Sequence, residues 1–462
     1  MADVTTPQAS AMAQPPFWTL DRLADALGTG ARGATKLTRI STDTRAVGAG
    51  DAFLALQGES FDAHDFLAEA VTKGAAALIV HDAARAKGLG VPVYVVPNTL
   101  VALGALGRFR RRAWGKPVVG VVGTNGKTST KELLRAALGG ALRVHATVGN
   151  YNNLVGVPLT LFALPDDADI AVIEMGTNQP GEVAALRAIV EPDIVVVTSI
   201  AEEHLEGLGD LAGVLQEEVS ACDGVVLAVV PASQPEIGEA ARTRAKRTVS
   251  AGLDSGDLRP DAWGIDPDGK GWVEMGEVRV RVPLRGVHNL RNAMLALAVA
   301  RERGVSMPDI ARSIAVMPSP PMRVHFEACG KATVINDAYN SNPGSARVAL
   351  ELLEHAGAGR QRVAVLGTML ELGAHADRLH DEVARAALAS PIELVVGVGA
   401  YADAFARVAP GDPRVASGAD PDAAWQAMRS RLAPDAVILL KGSRGVRLER
   451  LLPVISEWAS AR

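Results

Sequence analysis

The sequence predicts an α/β protein of three domains. A central parallel-sheet domain is built around a phosphate loop, a C-terminal domain has Rossmann-like layering, and a smaller α/β domain precedes both. Three observations carry this prediction. The 462 residues are too many for one hydrophobic core. From residue 118 onward, Val- and Ile-rich runs alternate with helical segments, as in a parallel sheet covered on both faces. A Pro-rich joint, MPSPPM at 317–322, separates two such series. The expected domains are therefore 1–110, 111–317 and 318–462.

In the first domain, ALIV (77–80) and VYVV (93–96) read as buried strands. DFLAEAVTKGA (65–75) reads as a helix ending at Gly74. The basic stretch RFRRRAWGKP (108–117) reads as a solvated helix end. In the second domain VVGVV (118–122), IAVIE (170–174), IVVVTSI (194–200) and VVLAVV (225–230) read as strands, and HNLRNAMLALAVARERG (288–304) as a helix. The third contributes the strands ATVIND (332–337), RVAVLG (362–367), ELVVGVG (393–399) and AVILLKGS (436–443).

Composition narrows the function classes. Hydrophobic residues make up 48% and charged residues 21%, an ordinary globular balance, while aromatics at 4% leave the cores to Ala, Val and Leu. A net charge of −5 argues against nucleic acid as the main partner, since phosphate binding needs a basic surface. Cys222 and Cys329 are far apart and in no metal spacing, which fits a reducing compartment. The first 18 residues have no basic n-region or apolar h-region, so no signal peptide is expected. The longest apolar run, GVVLAVVP (224–231), suits a buried strand and falls short of the roughly 20 residues a membrane helix needs. The expectation is a cytoplasmic protein without membrane insertion.

The strongest local signal is VVGVVGTNGKTST (118–130), running into KELLRAAL. A buried strand, a glycine-rich turn and a helix start aim backbone N–H groups and the positive helix end at an anion. Gly123, Thr124, Asn125, Gly126, Lys127, Thr128 and Ser129 form the loop. Lys127 would reach the β- and γ-phosphates, and the Thr128 hydroxyl would hold Mg²⁺. Val121 stands where the usual spacing has its first glycine.

Ligands of open α/β sheets bind beyond the carboxyl ends of the strands. The second central strand ends at Glu174, and the third is followed by Glu202, Glu203 and His204. A carboxylate and an imidazole beside Lys127 and Thr128 would suit Mg²⁺–ATP. Asn150, Asn152 and Asn153 form a polar loop that turn chemistry explains as well as ligand binding does. Asn289 opens a helix and reads equally as an N-cap.

These segments, GTNGKTS (123–129), NYNNLVGVPLTL (150–161), EMGTNQPGE (174–182), TSIAEEHLEGLG (198–209), HNLRNA (288–293), DAYNSNP (337–343) and LGTMLELG (366–373), resemble the Mur ligases in this order. So do STDTR (41–45), FLALQGESFDAHDF (53–66) and LLKGSRG (439–445). The resemblance implies an ADP-forming ligase that joins a carboxylate to an amine through an acyl phosphate, using ATP and Mg²⁺. Within the family, EMGTNQPGE, EEHLEG and MLELG look like the branch that adds D-Ala-D-Ala to UDP-MurNAc-tripeptide in peptidoglycan precursor synthesis. By this analogy Thr42, Asp43, Thr44 and Arg45 contact the UDP moiety, and Asn150, Asn152 and Asn153 lie along the muramoyl substrate. Lys127 holds ATP phosphates, Thr128 and Glu174 serve one Mg²⁺, and His204 serves a second. Asn289 and Asn292 meet adenine, and Arg323 and Asp337 the ribose and phosphates. Tyr339, Asn340 and Asn342 lie near the incoming dipeptide. The resemblance further implies domain closure about 317–322 and a monomeric chain.

Four positions depart from the family pattern. Glu218 stands where many relatives carry a carbamylated lysine, so Glu218 or Glu217 is expected to supply a metal-binding carboxylate directly. Thr368 replaces an Asp, Met322 a Gly, and Gly344 another Asp. Three rival readings accompany this one. A folylpolyglutamate-type ligase shares the ATP chemistry. A phosphate-loop switch would hydrolyse nucleotide without any substrate. A dinucleotide oxidoreductase is suggested by the G-x-G-x-x-A at 397–402, a weak form of that motif without a convincing acidic residue at the required distance.

Overall fold

The computed structural model describes residues 14–58, 61–266, 268–318 and 322–461. The stretch 1–13, residues 59–60 of the FLALQGESFDAHDF segment and the centre of the proposed hinge, 319–321, lie outside the described residues.

Four parallel strands, Ile40–Ser41, Ala52–Leu54, Ala77–Val80 and Val93–Val95, lie side by side in chain order in the N-terminal sheet. The expected 65–75 helix divides into a 3₁₀ turn, Ala63–Phe66, and a short helix, Leu67–Thr72. Asp62 starts the turn by accepting from His64 N. Gly74 ends the segment at φ +102°, where a Cβ would come within 2.8 Å of Ala49 Cα.

The helix Thr99–Trp114 continues across residue 110, the proposed limit of the first domain. Its Ala102, Leu103 and Leu106 pack in one cluster with Trp18 and Tyr94 and with Leu159 and Phe162 of the following domain. The basic run on this helix is not a solvated end. Arg110 and Arg111 are only 2% and 8% exposed. Arg110 donates to Leu164 O at 2.6 Å, and Arg111 donates to Val190 O at 2.9 Å. Arg108 and Arg112 clasp Glu191. The last carbonyls of helix Glu182–Val190 lack intrahelical partners, and a guanidinium satisfies them.

The central sheet has six parallel strands in the order Thr248–Ala251, Leu227–Pro231, Ile194–Val197, Val118–Val122, Ile170–Glu174, Val144–Ala146. The phosphate-loop strand thus lies between the two strands that end in acidic segments. Helices Lys127–Gly139 and Val287–Glu302 cover one face. Helix Glu182–Val190 covers the other, whose apolar cluster continues through Ile200, Leu205, Met369 and Leu372 into the C-terminal domain. An antiparallel sheet of Ala262–Ile265, Lys270–Met275 and Val278–Arg285 is appended before helix Val287–Glu302.

The C-terminal sheet runs His325–Cys329, Ala332–Asp337, Val437–Lys441, Arg362–Gly367, Leu394–Val398, Val415–Gly418. All its pairings are parallel except that of the edge strand His325–Cys329. The G-x-G-x-x-A at 397–402 is occupied by the fold itself. The Thr368 hydroxyl accepts from Ala400 N at 2.9 Å, and a Cβ on Gly399 would fall 2.4 Å from it. A phosphate cannot take that amide while Thr368 holds it, so the dinucleotide reading has no geometric support. Both cysteines are buried and free. Among the described residues, no helix is long and apolar enough to cross a membrane.

Candidate active site

The loop after Val118–Val122 is held open by close backbone packing. Gly123, at φ +118°, approaches the next strand so nearly that a Cβ would fall 2.4 Å from Thr198 Oγ1. Thr124 N donates to Ser199 O at 2.7 Å, and Asn125 N donates to Ser199 Oγ at 3.2 Å. Gly126, at φ +86°, begins helix Lys127–Gly139 without any side-chain cap. The first amides of this helix are therefore available to an anion. Lys127 Nζ rests on Gly123 O (2.5 Å) and Thr124 O (3.2 Å), both within the loop.

Glu174 ends its strand 1% exposed. Its Oε1 accepts from Thr128 Oγ1 at 3.2 Å and from Asn152 Nδ2 at 2.9 Å. Its Oε2 is buried and has no hydrogen-bond partner. A buried carboxylate oxygen without a donor is costly, and a hard divalent cation beside the Thr128 hydroxyl would satisfy it. The donor set here is oxygen only, so it fits Mg²⁺. Among the described residues, no three His, Cys, Asp or Glu side chains cluster as a complete metal cage. That suits a cation that takes few protein ligands and shares the rest with substrate phosphates and water.

Glu217 and Glu218 part company. Glu217 accepts from Gly181 N at 2.9 Å and Val183 N at 2.8 Å, so it caps helix Glu182–Val190 and is not a metal ligand here. Glu218, 2% exposed, lies under the phosphate loop and accepts from Gly123 N at 2.8 Å. Burial pushes its pKa up, opposed by the Lys127 charge and the Gly123 amide. His204 also favours its charged form, and Glu203 opposes it.

His204 takes a left-handed backbone (φ +54°) at the end of a central loop. Its Nδ1 lies 2.5 Å from Glu371 Oε2, a residue of the C-terminal domain that sequence reasoning missed. The imidazole holds the Glu371 carboxyl below its usual pKa. Glu202 pairs with Arg378, and Glu203 Oε1 accepts from Asn340 Nδ2 at 2.6 Å. Asn125 of the phosphate loop and Asn342 exchange two side-chain hydrogen bonds, at 2.8 and 3.3 Å. Asn342 also caps helix Pro343–Ala356. Four contacts thus bring the C-terminal domain against the loop. MLELG, DAYNSNP and EEH mark their positions in the sequence, but only the fold pairs them.

Asn289 is not the N-cap. Gly286 is, and Asn289 sits one turn in, donating to Arg285 O and lying 3.5 Å from Asn292 Nδ2 through its Oδ1. The two amides line a cleft of about 740 Å³ together with the phosphate loop, Glu174, Arg323 and Asp337. The Arg323 guanidinium stacks 4.3 Å over Tyr339, and Asp337 pairs with buried Lys441 at 3.0 Å. Met322, where the family pattern has glycine, holds φ +55°, a conformation glycine takes without cost. A second, wider cleft of about 1840 Å³ adjoins the first, lined by Thr128, Asn150, Asn153, Asn340 and Asn342 among others. Asn153 spends its side-chain oxygen on Val155 N and Gly156 N, the turn chemistry its sequence suggests. Residues 42–45 border neither cleft. There Asp43 accepts from Arg45 N and pairs with its guanidinium.

A phosphate loop at the carboxyl edge of a parallel sheet, with a second α/β domain shut against it, defines a class of nucleotide-using enzymes. Comparison with known proteins narrows that class. Family models match three segments: the Mur ligase family catalytic domain at 36–111, the Mur ligase middle domain at 121–300, and the Mur ligase glutamate ligase domain at 322–444. The chain belongs to the Mur ligase family. A curated relative, the UDP-N-acetylmuramoyl-tripeptide–D-alanyl-D-alanine ligase of Bacillus subtilis, is 32% identical over 92% of this chain and 94% of its own. Crystal structure I of MurF from Acinetobacter baumannii superposes with a TM-score of 0.87 at 30% identity, covering 96% of this chain and all of that one. MurF from Thermotoga maritima in complex with ADP gives 0.80 at 26% identity, over 92% and 98%.

Proposed function

We propose that this protein adds D-alanyl-D-alanine to UDP-MurNAc-tripeptide, with cleavage of ATP to ADP and phosphate, in peptidoglycan precursor synthesis in the cytoplasm. The observation that carries the reading is the junction of two clefts. A nucleotide-sized cleft at the phosphate loop opens into a wider one lined by residues of both the central and C-terminal domains. ATP chemistry in one can thus be delivered to a peptide in the other. The names and whole-chain coverage of the relatives support the choice of substrates.

A carboxylate is a poor acyl donor because oxide would have to leave. Its oxygen attacks the γ-phosphorus, ADP departs, and the amine then displaces phosphate from the acyl phosphate through a tetrahedral intermediate. The protein's contribution is positioning and charge stabilisation. Lys127 leaves its two loop carbonyls for the phosphate oxygens, while the open amides of helix Lys127–Gly139 face the same charge. Thr128 and Glu174, the latter oriented by Asn152, would hold Mg²⁺, which would supply charge neutralisation at the phosphoryl group. Glu218 sets the field beneath Lys127 and is the carboxylate available to a second cation, with His204 beside it. Asn289 and Asn292 meet the adenine, and Arg323 and Asp337 the ribose and phosphates. Asn150, Asn152 and Asn153 follow the muramoyl peptide, residues 42–45 take the uridine nucleotide, and Tyr339, Asn340 and Asn342 lie by the dipeptide. The C-terminal domain shuts water away from the acyl phosphate. The chain works as a monomer.

The test is product analysis. With ATP, Mg²⁺, UDP-MurNAc-tripeptide and D-Ala-D-Ala, mass spectrometry should find the UDP-MurNAc-pentapeptide. Substrate carboxylate labelled with ¹⁸O should pass one label to phosphate. A product with glutamate and a pteroate acceptor, and none with the dipeptide, would replace this reading with the folylpolyglutamate one.

A further inference from the structure

We propose that Glu203 binds the ammonium group of the incoming dipeptide. The inference rests on the ligase reading above and names a residue that reading leaves without a role.

The attacking nitrogen must reach the carbonyl carbon of the acyl phosphate, which lies where the phosphate cleft meets the peptide cleft. Few residues line both. Among the described residues that do, only Glu203 and Glu371 are acidic. Glu371 is half exposed, and its carboxylate is already paired with His204. Glu203 is 7% exposed, and its Oε2 is buried with no hydrogen-bond partner. Its other oxygen is fixed by Asn340 Nδ2, and the Asn340 carbonyl is in turn held by Lys441 Nζ at 2.6 Å. Among the described residues, the basic side-chain nitrogen nearest the free oxygen is His204 Nε2, at 3.9 Å, too far for a hydrogen bond. Arg378 is spent on Glu202 and Glu382. Of the arginines that line both clefts, Arg323 stacks on Tyr339 and Arg444 pairs with Glu449.

A buried carboxylate that is oriented from one side and open on the other needs a cation. Glu174 and Thr128 already supply oxygen donors for a metal cation at the phosphate end. A primary ammonium needs only one such acceptor and two or three further polar neighbours. At this position it stands at the junction, beside Asn340, whose side-chain oxygen accepts only from Ser341 N. Because Asn340 comes from the C-terminal domain, the acceptor site is complete only when the two domains meet.

Glu203→Gln tests the assignment, since an amide oxygen still accepts from Asn340 while the charge is lost. KM for D-Ala-D-Ala should rise about tenfold or more, as expected when one partner of a buried charge pair is removed. KM for ATP and for UDP-MurNAc-tripeptide, and the Mg²⁺ activation curve, should stay within about twofold. N-propionyl-D-alanine lacks only the ammonium group. As an inhibitor competing with the dipeptide, it should be much weaker than the dipeptide's own KM in the wild type. In the variant the two should converge. An unchanged dipeptide KM overturns the proposal, and so does a shift that falls on Mg²⁺ or ATP instead. Glu203→Asp keeps the charge and serves as the control for folding, with partial recovery of the dipeptide KM expected. If the wild type ligates no dipeptide at all, the ligase reading fails first, and that outcome is distinct from either of these.

Discussion

Glu217 and Glu218 are neighbours in the chain with the same side chain, yet one closes a helix end and the other faces the phosphate loop. The sequence could not separate them, because the roughly 100° between successive residues of helix Leu211–Val219 decides which way each points. Replacing Glu217 by Ala should cost about 1 kcal/mol of stability, as loss of a helix cap does, and leave kcat within about threefold. Glu218→Gln should lower kcat on the order of 10², the scale of one electrostatic group in a preorganised site. Denaturant unfolding and turnover of the two variants, run side by side, check both. Lys127→Ala should cost on the order of 10²–10³ in kcat by the same argument, and near-normal turnover would remove Lys127 from the phosphate site. His288 tests the cleft wall. Desolvation pushes its pKa down to about 4, with Asp337 opposing. On acidification the unfolded chain takes up this proton first, since an ordinary histidine titrates near 6.5. The stability it contributes is therefore fully present above about pH 6.5 and is lost as pH falls toward 4. Between pH 7 and pH 5 the Tm of the wild type should fall further than that of His288→Gln.

Among elements, legibility followed burial. Strands covered on both faces leave an unbroken apolar run, so 118–122, 170–174, 332–337 and 362–367 are found where the sequence places them. Strand Val278–Arg285 was missed because only alternate residues are buried. Val280, Val282 and Leu284 point inward while Arg279 and Arg281 face solvent, and that period of two breaks any apolar run. Counting alternation rather than runs would have found it. The edge strand His325–Cys329 has one buried residue and carries no such signal. The basic run at 108–112 misled for another reason. Arginine is usually solvated, and nothing local shows that the end of a helix some 80 residues later supplies carbonyls for Arg111. In the site, by contrast, the phosphate loop and Glu174 were legible as motif and strand end. Glu371 was not, and Glu203 was legible only as one of two glutamates after a strand, since the partners of both lie across domains.

At the scale of the whole molecule, the C-terminal domain meets the ATP site through paired side chains: Asn125 with Asn342, His204 with Glu371, Glu202 with Arg378, and Glu203 with Asn340. An arrangement of this kind makes closure and catalysis interdependent. The double-mutant cycle Asn125→Ala with Asn342→Ala should give a coupling of about 0.5–1.5 kcal/mol in kcat/KM, within the range for residues in direct contact. Additive effects would mean that the contact plays no part in turnover. ATP cleavage here belongs to amide-bond formation and not to a nucleotide switch. The measurement that tests it most directly is release of ADP and phosphate with Mg²⁺–ATP, the UDP-linked tripeptide and D-Ala-D-Ala, each omitted in turn. Release is expected only when both substrates are present, in step with pentapeptide formed. Release at the same rate without either would contradict it, leaving the phosphate loop in place and the ligase mechanism without support.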